Sequence, residues 1–424
     1  MMVPNAAVVE RGVAESNVIM SQNTVTDSHP RGGIPRLRPV SIPLLSYGFR
    51  PFFLGAALWA GAAMVLWLGR LSGFWSFADS YGAIAWHAHE FLFGYVSAVM
   101  TGFLLTAIPN WTGRFPLQGG PLLALFLLWL AGRIAMLAAD RIGVGAAALV
   151  DCTYLLTLTA VIAREIVVGK NWRNLRVTIL VALVALANIV FQAEVIVHGA
   201  PNYGLRLAIA AIVGLIMVVG GRITPSFTNN FLARQKSEKL PAPFGRFDLA
   251  SLALAAVALL AWIAAPNWSG TAMLLIAAAI GQAVRLARWA GERIWREPIL
   301  FILHLGYAFV PLGALAVAVS ILWPDIMPPS GALHAWTTGA MGTMTLAVMT
   351  RATLGHTGRD VVSTPATTMI YGAILAAAVA RVAAPLLPAI YDEALIVAAL
   401  GWIVAFGGFV VVYGPMLLRA RVSG

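Results

Sequence analysis

Six of the seven histidines lie in or beside apolar stretches long enough to cross a lipid bilayer. An imidazole is costly in hydrocarbon, and the usual compensation is a bound metal ion, a haem or a proton path. The densest group is segment 86–90, which contains His87 and His89. Two more, His334 and His356, belong to a later stretch. Metal or proton chemistry inside a membrane is therefore the first function that this sequence suggests.

The spacing of the first pair limits what it can bind. Successive helical residues are about 100° apart, so His87 and His89 point about 200° from each other. They therefore serve two sites, or one of them binds a ligand while the other makes a local hydrogen bond. Glu90 shares a face with His87 on an ideal helix. We predict that Glu90 orients that imidazole or carries a proton.

Composition indicates that the protein lies in lipid. The 424 residues are 60% hydrophobic and only 11% charged, with a mean hydropathy of +0.84, which excludes an ordinary soluble domain. The net charge is +11, but the basic residues separate apolar stretches and no nucleic-acid motif is present, which argues against a nucleic-acid partner. The single cysteine, Cys152, excludes an intramolecular disulfide. The sequence has no CxxC or CxxCH motif that could hold zinc or attach c-type haem.

Apolar stretches of about 17 to 25 residues predict transmembrane helices. The fold class predicted from them is an all-α membrane protein, a polytopic bundle of about twelve helices within residues 41–424. Residues 1–40 are polar and rich in Pro and Gly, which predicts a disordered cytoplasmic tail with a solvated His29. The predicted spans are 51–69, 84–108, 120–139, 144–163, 177–197, 204–221, 248–265, 270–287, 299–322, 331–350, 367–388 and 394–416.

The basic residues predict the orientation of this bundle. With twelve spans, 23 of the 28 Lys and Arg residues fall on the side of the two termini and three on the opposite side. Arg133 and Arg381 lie within spans. Positive charge concentrates on the cytoplasmic side of membrane proteins, so both termini are predicted to be cytoplasmic and the protein to be multi-pass in a bacterial inner membrane.

Orientation converts sequence position into depth and predicts two groups of polar residues. Haem b suits the outer group, because imidazoles from facing helices can ligate iron and Arg133 and Arg381 can neutralise propionates. A copper ion would need about three imidazoles, or imidazole with a thioether such as Met341 or Met344. The predicted outer group is His87, His89, Glu90, Arg133, Asp151, Glu194, His198, His334 and Arg381. The predicted inner group is Arg50, Arg114, Arg222, His304, Arg351 and His356.

Simpler roles remain open for several of these residues. The alternative for Arg133 and Arg381 is an ion pair with Asp151 or Glu194, which would make both arginines structural. The methionines suit helix packing, and His198 suits a structural role near the interface. The predicted metal ligands are therefore the five remaining membrane histidines: His87, His89, His304, His334 and His356.

Six motifs of this chain are long enough to be specific: 46–53 (SYGFRPFF), 86–90 (WHAHE), 107–114 (AIPNWTGR), 220–227 (GGRITPSF), 341–351 (MGTMTLAVMTR) and 355–359 (GHTGR). With them the chain resembles the NnrS family of bacterial inner-membrane proteins, from about residue 41 to the end. The resemblance implies a twelve-span protein that contains haem and copper and is associated with denitrification and with protection from nitric oxide and nitrosative stress.

A short internal echo relates spans two and ten. Residues 98–101 (AVMT) and 112–114 (TGR) resemble residues 347–350 (AVMT) and 357–359 (TGR), and span six ends in a comparable Gly-Gly-Arg. Spans two, six and ten would then be equivalent in three units of four helices. That layout is similar to the core subunit of haem-copper oxidases, an analogy of architecture only.

Two functions follow as hypotheses. In the first, the protein binds or reduces nitric oxide at a histidine-ligated haem, as a nitric-oxide-reductase-like oxidoreductase would, with Glu90 or Glu194 as proton donor. Electrons would then come from quinol or a redox partner. In the second, the protein is a transporter or sensor for metal, haem or nitrosyl-iron species, with its histidines as successive stations across the membrane.

Overall fold

The computed structural model describes residues 40–422 of the chain. The predicted tail therefore lies, apart from Val40, outside the described residues, as does His29. The molecule is 82% helical, and the described part contains no β-strand. The all-α prediction is confirmed.

Eleven helices of the described chain are long and apolar enough to cross a membrane. A further helix, α10, joins Pro329–His334, Ala335–Gly342 and Thr343–His356 into one rod. The eleven are α1 (Phe49–Leu71), α2 (Ala83–Thr112), α3 (Gly119–Leu137), α4 (Val144–Val168), α5 (Trp172–His198), α6 (Tyr203–Arg234), α7 (Arg246–Ala264), α8 (Ser269–Arg293), α9 (Pro298–Leu322), α11 (Pro365–Leu386) and α12 (Pro388–Leu418). We call the end at which α1 begins and α12 ends the inner end.

Three helices, α2, α6 and α10, lie at the centre of the bundle. We call them the inner layer, or inner helices, a name that refers to burial within the bundle and not to the inner end. In the most apolar window of each span, 78% of α2 and 61% of α6 is buried, against 50% or less for the other spans. Every residue of α10 from Gly339 to Met344 is buried. Neighbouring helices in sequence pack around this layer, and α12 closes the ring against α1.

The polarity of α10 is explained by this inner position. The hydroxyl groups of Thr350, Thr353 and Thr357 are buried and donate to carbonyls four residues earlier, at 2.9, 2.7 and 2.7 Å. Back-bonded threonines need no water, and no lipid faces them in the inner layer. Such a helix can therefore cross the bundle with fewer apolar residues than its neighbours.

Each inner helix contains a π-helical turn, and the described chain has no other. These turns are Glu90–Val96 in α2, Ile216–Gly220 in α6 and Ala335–Gly342 in α10. They occur in the three helices that the sequence echo predicts to be equivalent, four helices apart. The spacing supports three units of four helices. The likeness to oxidase subunits stays an analogy.

Side chains from neighbouring helices satisfy backbone carbonyls at two of these turns, where the regular helical pairing is interrupted. Trp129 on α3 donates Nε1–H to the Gly94 carbonyl at 2.8 Å. Arg285 on α8 donates to the carbonyls of Met217 and Gly221 at 3.1 and 3.4 Å. The irregular backbone is thus held from outside by groups that the lipid cannot supply.

Polar contacts also fix the two ends of the bundle. At the outer end, Asp140 accepts hydrogen bonds from the Ser80 hydroxyl, the Ser80 N–H and the Asp79 N–H, which together lower the pKa of its carboxyl. At the inner end, Arg50 donates to the carbonyls of Leu417 and Arg419 at 2.8 and 2.6 Å. Arg50 therefore caps α12, because the last carbonyls of a helix lack partners within it.

Candidate sites for metal and protons

A fully buried ion cluster lies where α2 meets α3, α4 and α5. His89 Nδ1 is 3.0 Å from Glu90 Oε1, and its Nε2 is 2.9 Å from Asp151 Oδ2 and 3.1 Å from Asn188 Oδ1. Arg133 donates Nη1 to Glu90 Oε2 at 2.5 Å and Nη2 to Asp151 Oδ1. We call His89, Glu90, Arg133 and Asp151 the ion cluster.

The hydrogen-bond partners define the charge of the ion cluster. Carboxylate and amide oxygens accept hydrogen bonds and do not donate them. Such oxygens face both ring nitrogens of His89, and Nε2 also lies 3.0 Å from the Gln192 amide nitrogen. Both ring nitrogens donate to the carboxylates when the imidazole is protonated and Glu90 and Asp151 are ionised. The imidazolium and the guanidinium of Arg133 then balance the two carboxylates, the condition under which buried charges are tolerated. The predicted ligand role of His89 would require this cluster to open, and it stays a prediction.

The structure gives Glu90 a different neighbour from the one expected. Its carboxylate contacts His89 and Arg133 and accepts the Trp59 Nε1–H at 2.8 Å, and no hydrogen bond joins it to His87 among the described residues. Arg133 has both terminal nitrogens engaged by carboxylates, while its Nε has no partner. Propionate binding by Arg133 also stays a prediction.

Gly94 tests how tightly the ion cluster is packed. A Cβ added there would lie 2.5 Å from Arg133 Nη1 and 2.8 Å from Glu90 Oε2. We expect Gly94→Ala to destabilise the protein by about 1–3 kcal/mol, because overpacking displaces both ions. The matched control is Gly61→Ala on α1, whose added Cβ meets nothing within 4 Å; it should be neutral or stabilising by about 0.5–1 kcal/mol. Thermal unfolding in detergent measures both, and equal midpoints would contradict this packing.

The other histidine of the 86–90 segment, His87, faces the opposite direction from His89. The His87 ring lies 6.5 Å from the His334 ring of α10, centroid to centroid, with 22° between their planes. Trp67 and Phe91 flank His87 at 4.4 and 4.6 Å. The two rings of the 86–90 segment thus point to two places, in agreement with their spacing. We call His87 and His334 the imidazole pair.

The imidazole pair is the candidate for a two-ligand metal site. Nδ1 of His87 is buried without a hydrogen-bond partner, whereas Nδ1 of His334 lies 2.5 Å from the Ser330 carbonyl. A histidine that ligates through one nitrogen usually donates the other to such an acceptor. Metal–nitrogen bonds are about 2.0 Å, so rings that share one ion have centroids roughly 6 Å apart. The observed 6.5 Å fits this geometry.

Arg381 offers a positive charge beside the imidazole pair. It is close enough to act electrostatically on both His87 and His334, and its Nη1 is buried without a partner. Neither Asp151 nor Glu194 pairs with it among the described residues. The described part of the chain contains no group of three or more His, Cys, Asp and Glu side chains that could bind a metal ion. The pair therefore offers two imidazoles, and a copper ion held there would need a further ligand such as a thioether.

The other predicted residues lie apart from the pair. Glu194 accepts the backbone N–H groups of Asn202, Tyr203 and Gly204 at 2.7, 2.8 and 3.0 Å, so it caps the start of α6. His198 is exposed at the end of α5. The catalytic role predicted for Glu194 is untested, and its contacts favour a structural one.

The inner group is divided between packing and a cavity. His304 Nε2 is 2.9 Å from Thr228 Oγ1. His356 packs on Tyr47 and Phe49, and its Nδ1 has no partner. It lines a cavity of about 920 Å³ at the inner end, where Arg222 and Arg351 also lie. Arg50 and Arg114 lie outside the lining: Arg50 caps α12, and Arg114 pairs with Glu165 at 2.5 Å.

A second buried ionic group was missed from the sequence. The charge count includes Arg285 among the 23 basic residues on the side of the termini, outside the spans, but Arg285 lies buried on α8 and donates Nε–H to Asp248 Oδ1 at 3.1 Å. Tyr307 and Gln282 extend this group, with the Tyr307 hydroxyl 2.7 Å from Arg285 and 2.6 Å from Gln282.

Asn188 and Gln192, one turn apart on α5, were also not predicted. Two amides on one face of an apolar stretch are the signal that could have found them.

These features define a polytopic all-α membrane protein whose inner helices carry a buried ion cluster and a facing imidazole pair. Residues 43–421 match the family model described as NnrS protein, nearly the whole chain. The chain therefore belongs to the NnrS family, and this membership supports a membrane protein of the nitric-oxide response. No curated protein matches the chain.

Proposed function

We propose that this protein protects bacteria from nitric oxide at a metal centre held by His87 and His334. The observation that carries the proposal is the imidazole pair, two facing rings with 6.5 Å between centroids and an unpartnered Nδ1 on His87. The pair suits iron of haem b or a copper ion, either of which would supply reversible nitric-oxide binding and electron transfer. Arg381 is the residue best suited to a haem propionate or another anion.

The surroundings of the pair support access by nitric oxide. Trp67 and Phe91 make one side of the site apolar, and a small uncharged molecule soluble in lipid needs no polar channel to reach it. The ion cluster lies next along α2, where a proton on His89 Nδ1 faces the Glu90 carboxylate. Glu90 is therefore our candidate for supplying protons if nitric oxide is reduced.

Reduction would need a donor of electrons. Two molecules of nitric oxide, two electrons and two protons balance one nitrous oxide and one water, and quinol is the class of donor that we propose. Binding alone would also protect cells by lowering free nitric oxide. We further propose an inner-membrane location with both termini cytoplasmic, on the strength of the basic residues at the inner end.

Protection can be tested in cells. A strain without the protein, complemented with wild type, should resume growth under a nitric-oxide donor earlier than a strain with empty vector. We expect His87→Ala/His334→Ala to remove this advantage, because no metal centre would form. His198→Ala is the matched control, since His198 is exposed and far from the pair in sequence. Full protection by the double variant at equal membrane abundance would refute the proposal.

The large inner cavity favours a second candidate function. A cavity of about 920 Å³ that opens at one end of the inner helices also suits a transporter or sensor for metal, haem or nitrosyl-iron species. Vesicles that contain the protein separate the two candidates. Nitric-oxide loss without solute flux favours the metal centre, and flux without nitric-oxide loss favours transport.

A further inference from the structure

The cavity at the inner end has a strongly positive wall. Its volume of about 920 Å³ lies in the upper range of pockets that bind small molecules and cofactors. Among the described residues that line it, none is Asp or Glu. The basic residues of the wall come from α5, α6, α8 and α10: Arg173, Arg176, Arg222, Arg285, Arg351 and His356.

Four of the five wall arginines have no carboxylate partner among the described residues, and two of these, Arg222 and Arg351, contact aromatic rings. Arg222 donates to Asn174 Oδ1 at 3.3 Å and lies 6.0 Å from the Trp111 ring. Arg351 lies 4.0 Å over the Phe227 ring. Arg285, in contrast, is paired with Asp248 deeper in the bundle. Arg222 and Arg351 therefore present positive charge to the cavity that no residue of the wall neutralises.

Electrostatics favours an anion in this position. Arg173 lies close enough to Arg222 to repel it, and Arg234 acts on Arg351 in the same way. Arg222 is exposed and Arg351 is half-buried, and a cavity lined by charge of one sign attracts ions of the opposite sign. A bound anion would remove the repulsion and could accept paired hydrogen bonds from each planar guanidinium.

The rest of the wall limits the shape of that anion. Phe53, Phe103, Val218 and Val348 give the cavity an apolar part. A small inorganic ion would leave these surfaces against water, whereas a molecule with an apolar body would cover them. The ligand that fits is amphipathic, with its acidic groups at the arginines.

We propose that this cavity binds an amphipathic organic anion with phosphate or carboxylate groups, held by Arg222 and Arg351. This site goes beyond the proposed function, because it uses no residue of the imidazole pair. The same chemistry is found in soluble aromatic phosphates and in the headgroups of anionic lipids. Both sources are separated by the test below.

The probe is pyranine, a water-soluble aromatic trisulfonate, added to the full-length protein in nanodiscs of phosphatidylcholine. Fluorescence anisotropy should show saturable binding that weakens as salt rises. We expect a roughly tenfold loss of affinity for each arginine in Arg222→Gln and Arg351→Gln, because each removes charge-assisted hydrogen bonds. The matched control is Arg246→Gln/Arg296→Gln, which removes equal charge from exposed residues outside the cavity.

Competition identifies the source of the ligand. Displacement of pyranine by naphthyl phosphate indicates a soluble anion, and displacement only by short-chain phosphatidylglycerol indicates a lipid headgroup; either supports the site. Absence of saturable binding, or equal affinity in Arg222→Gln/Arg351→Gln and wild type, overturns it. The His87→Ala/His334→Ala variant should bind pyranine like wild type, so failure of the metal centre and failure of this site are distinguishable.

Discussion

Replacing Arg133 with methionine is expected to destabilise the protein by about 3–5 kcal/mol, among the largest effects of any single change. Arg133 is 1% exposed and contacts both carboxylates of the ion cluster. Its removal leaves the His89 imidazole as the one positive group of the ion cluster against the two carboxylates, Glu90 and Asp151. An uncompensated charge that cannot reach water costs several kcal/mol, far more than the lost contacts alone. Unfolding in detergent and abundance in the membrane measure the loss.

Two further variants make this prediction specific to burial. Lys239→Met breaks the exposed pair with Glu292, whose side chains are 55% and 52% exposed, and should cost less than about 1 kcal/mol. Arg133→Met/Glu90→Gln removes one charge of each sign, and it should recover part of the stability lost in Arg133→Met. If Arg133→Met proves no more harmful than Lys239→Met, charge balance does not hold this cluster together.

The sequence predicts the depth of the ion cluster but not its pairing. Helical rise is regular, so counting from the ends of the spans places His89, Glu90, Arg133 and Asp151 in the same layer. Which way each side chain points depends on the rotation of each helix and on where its winding changes. The π-helical turn that begins at Glu90 is such a change. Glu90 was therefore expected beside His87, but it contacts His89 and Arg133.

The number of helices is predictable for a different reason. Lipid requires long apolar stretches, which hydropathy detects directly. The weakest such signal is that of α10, which contains buried threonines; its apolar stretch at 331–350 still predicts the span, and the charge pattern supports it independently. Arg285 shows the limit of that pattern. The charge count treats Arg285, near the end of α8, as a loop charge. Its side chain instead reaches back into the bundle and pairs with Asp248.

The cavity could not be predicted from either pattern. Arg222 and Arg351 were expected at the same inner depth, but Arg173 and Arg176 resembled ordinary topology-determining residues. Whether such arginines face lipid headgroups or a common space depends on how helices distant in sequence pack. Hydropathy and charge report each helix separately and contain no information on that packing.

The metal content of the purified protein is expected to depend on the imidazole pair. We expect His87→Ala or His334→Ala to weaken metal binding by at least about 100-fold, because each removes one of two ligands, a larger change than loss of an outer hydrogen bond. The double variant should retain neither copper nor a haem Soret band. Elemental analysis and absorption spectra of protein purified after expression with ample iron and copper measure this result.

Conservative changes distinguish a ligand from a packing residue. His87→Met replaces the imidazole with a thioether, a soft donor of similar length, so copper should be retained in part with an altered spectrum, whereas His87→Ala should retain much less. His198→Ala should match wild type, because its side chain is exposed at the end of α5. Arg381→Gln should leave a copper ion in place and weaken haem retention, since a propionate needs the guanidinium and a bare ion does not. Undiminished iron and copper in the double variant would show that neither metal is held by these two imidazoles.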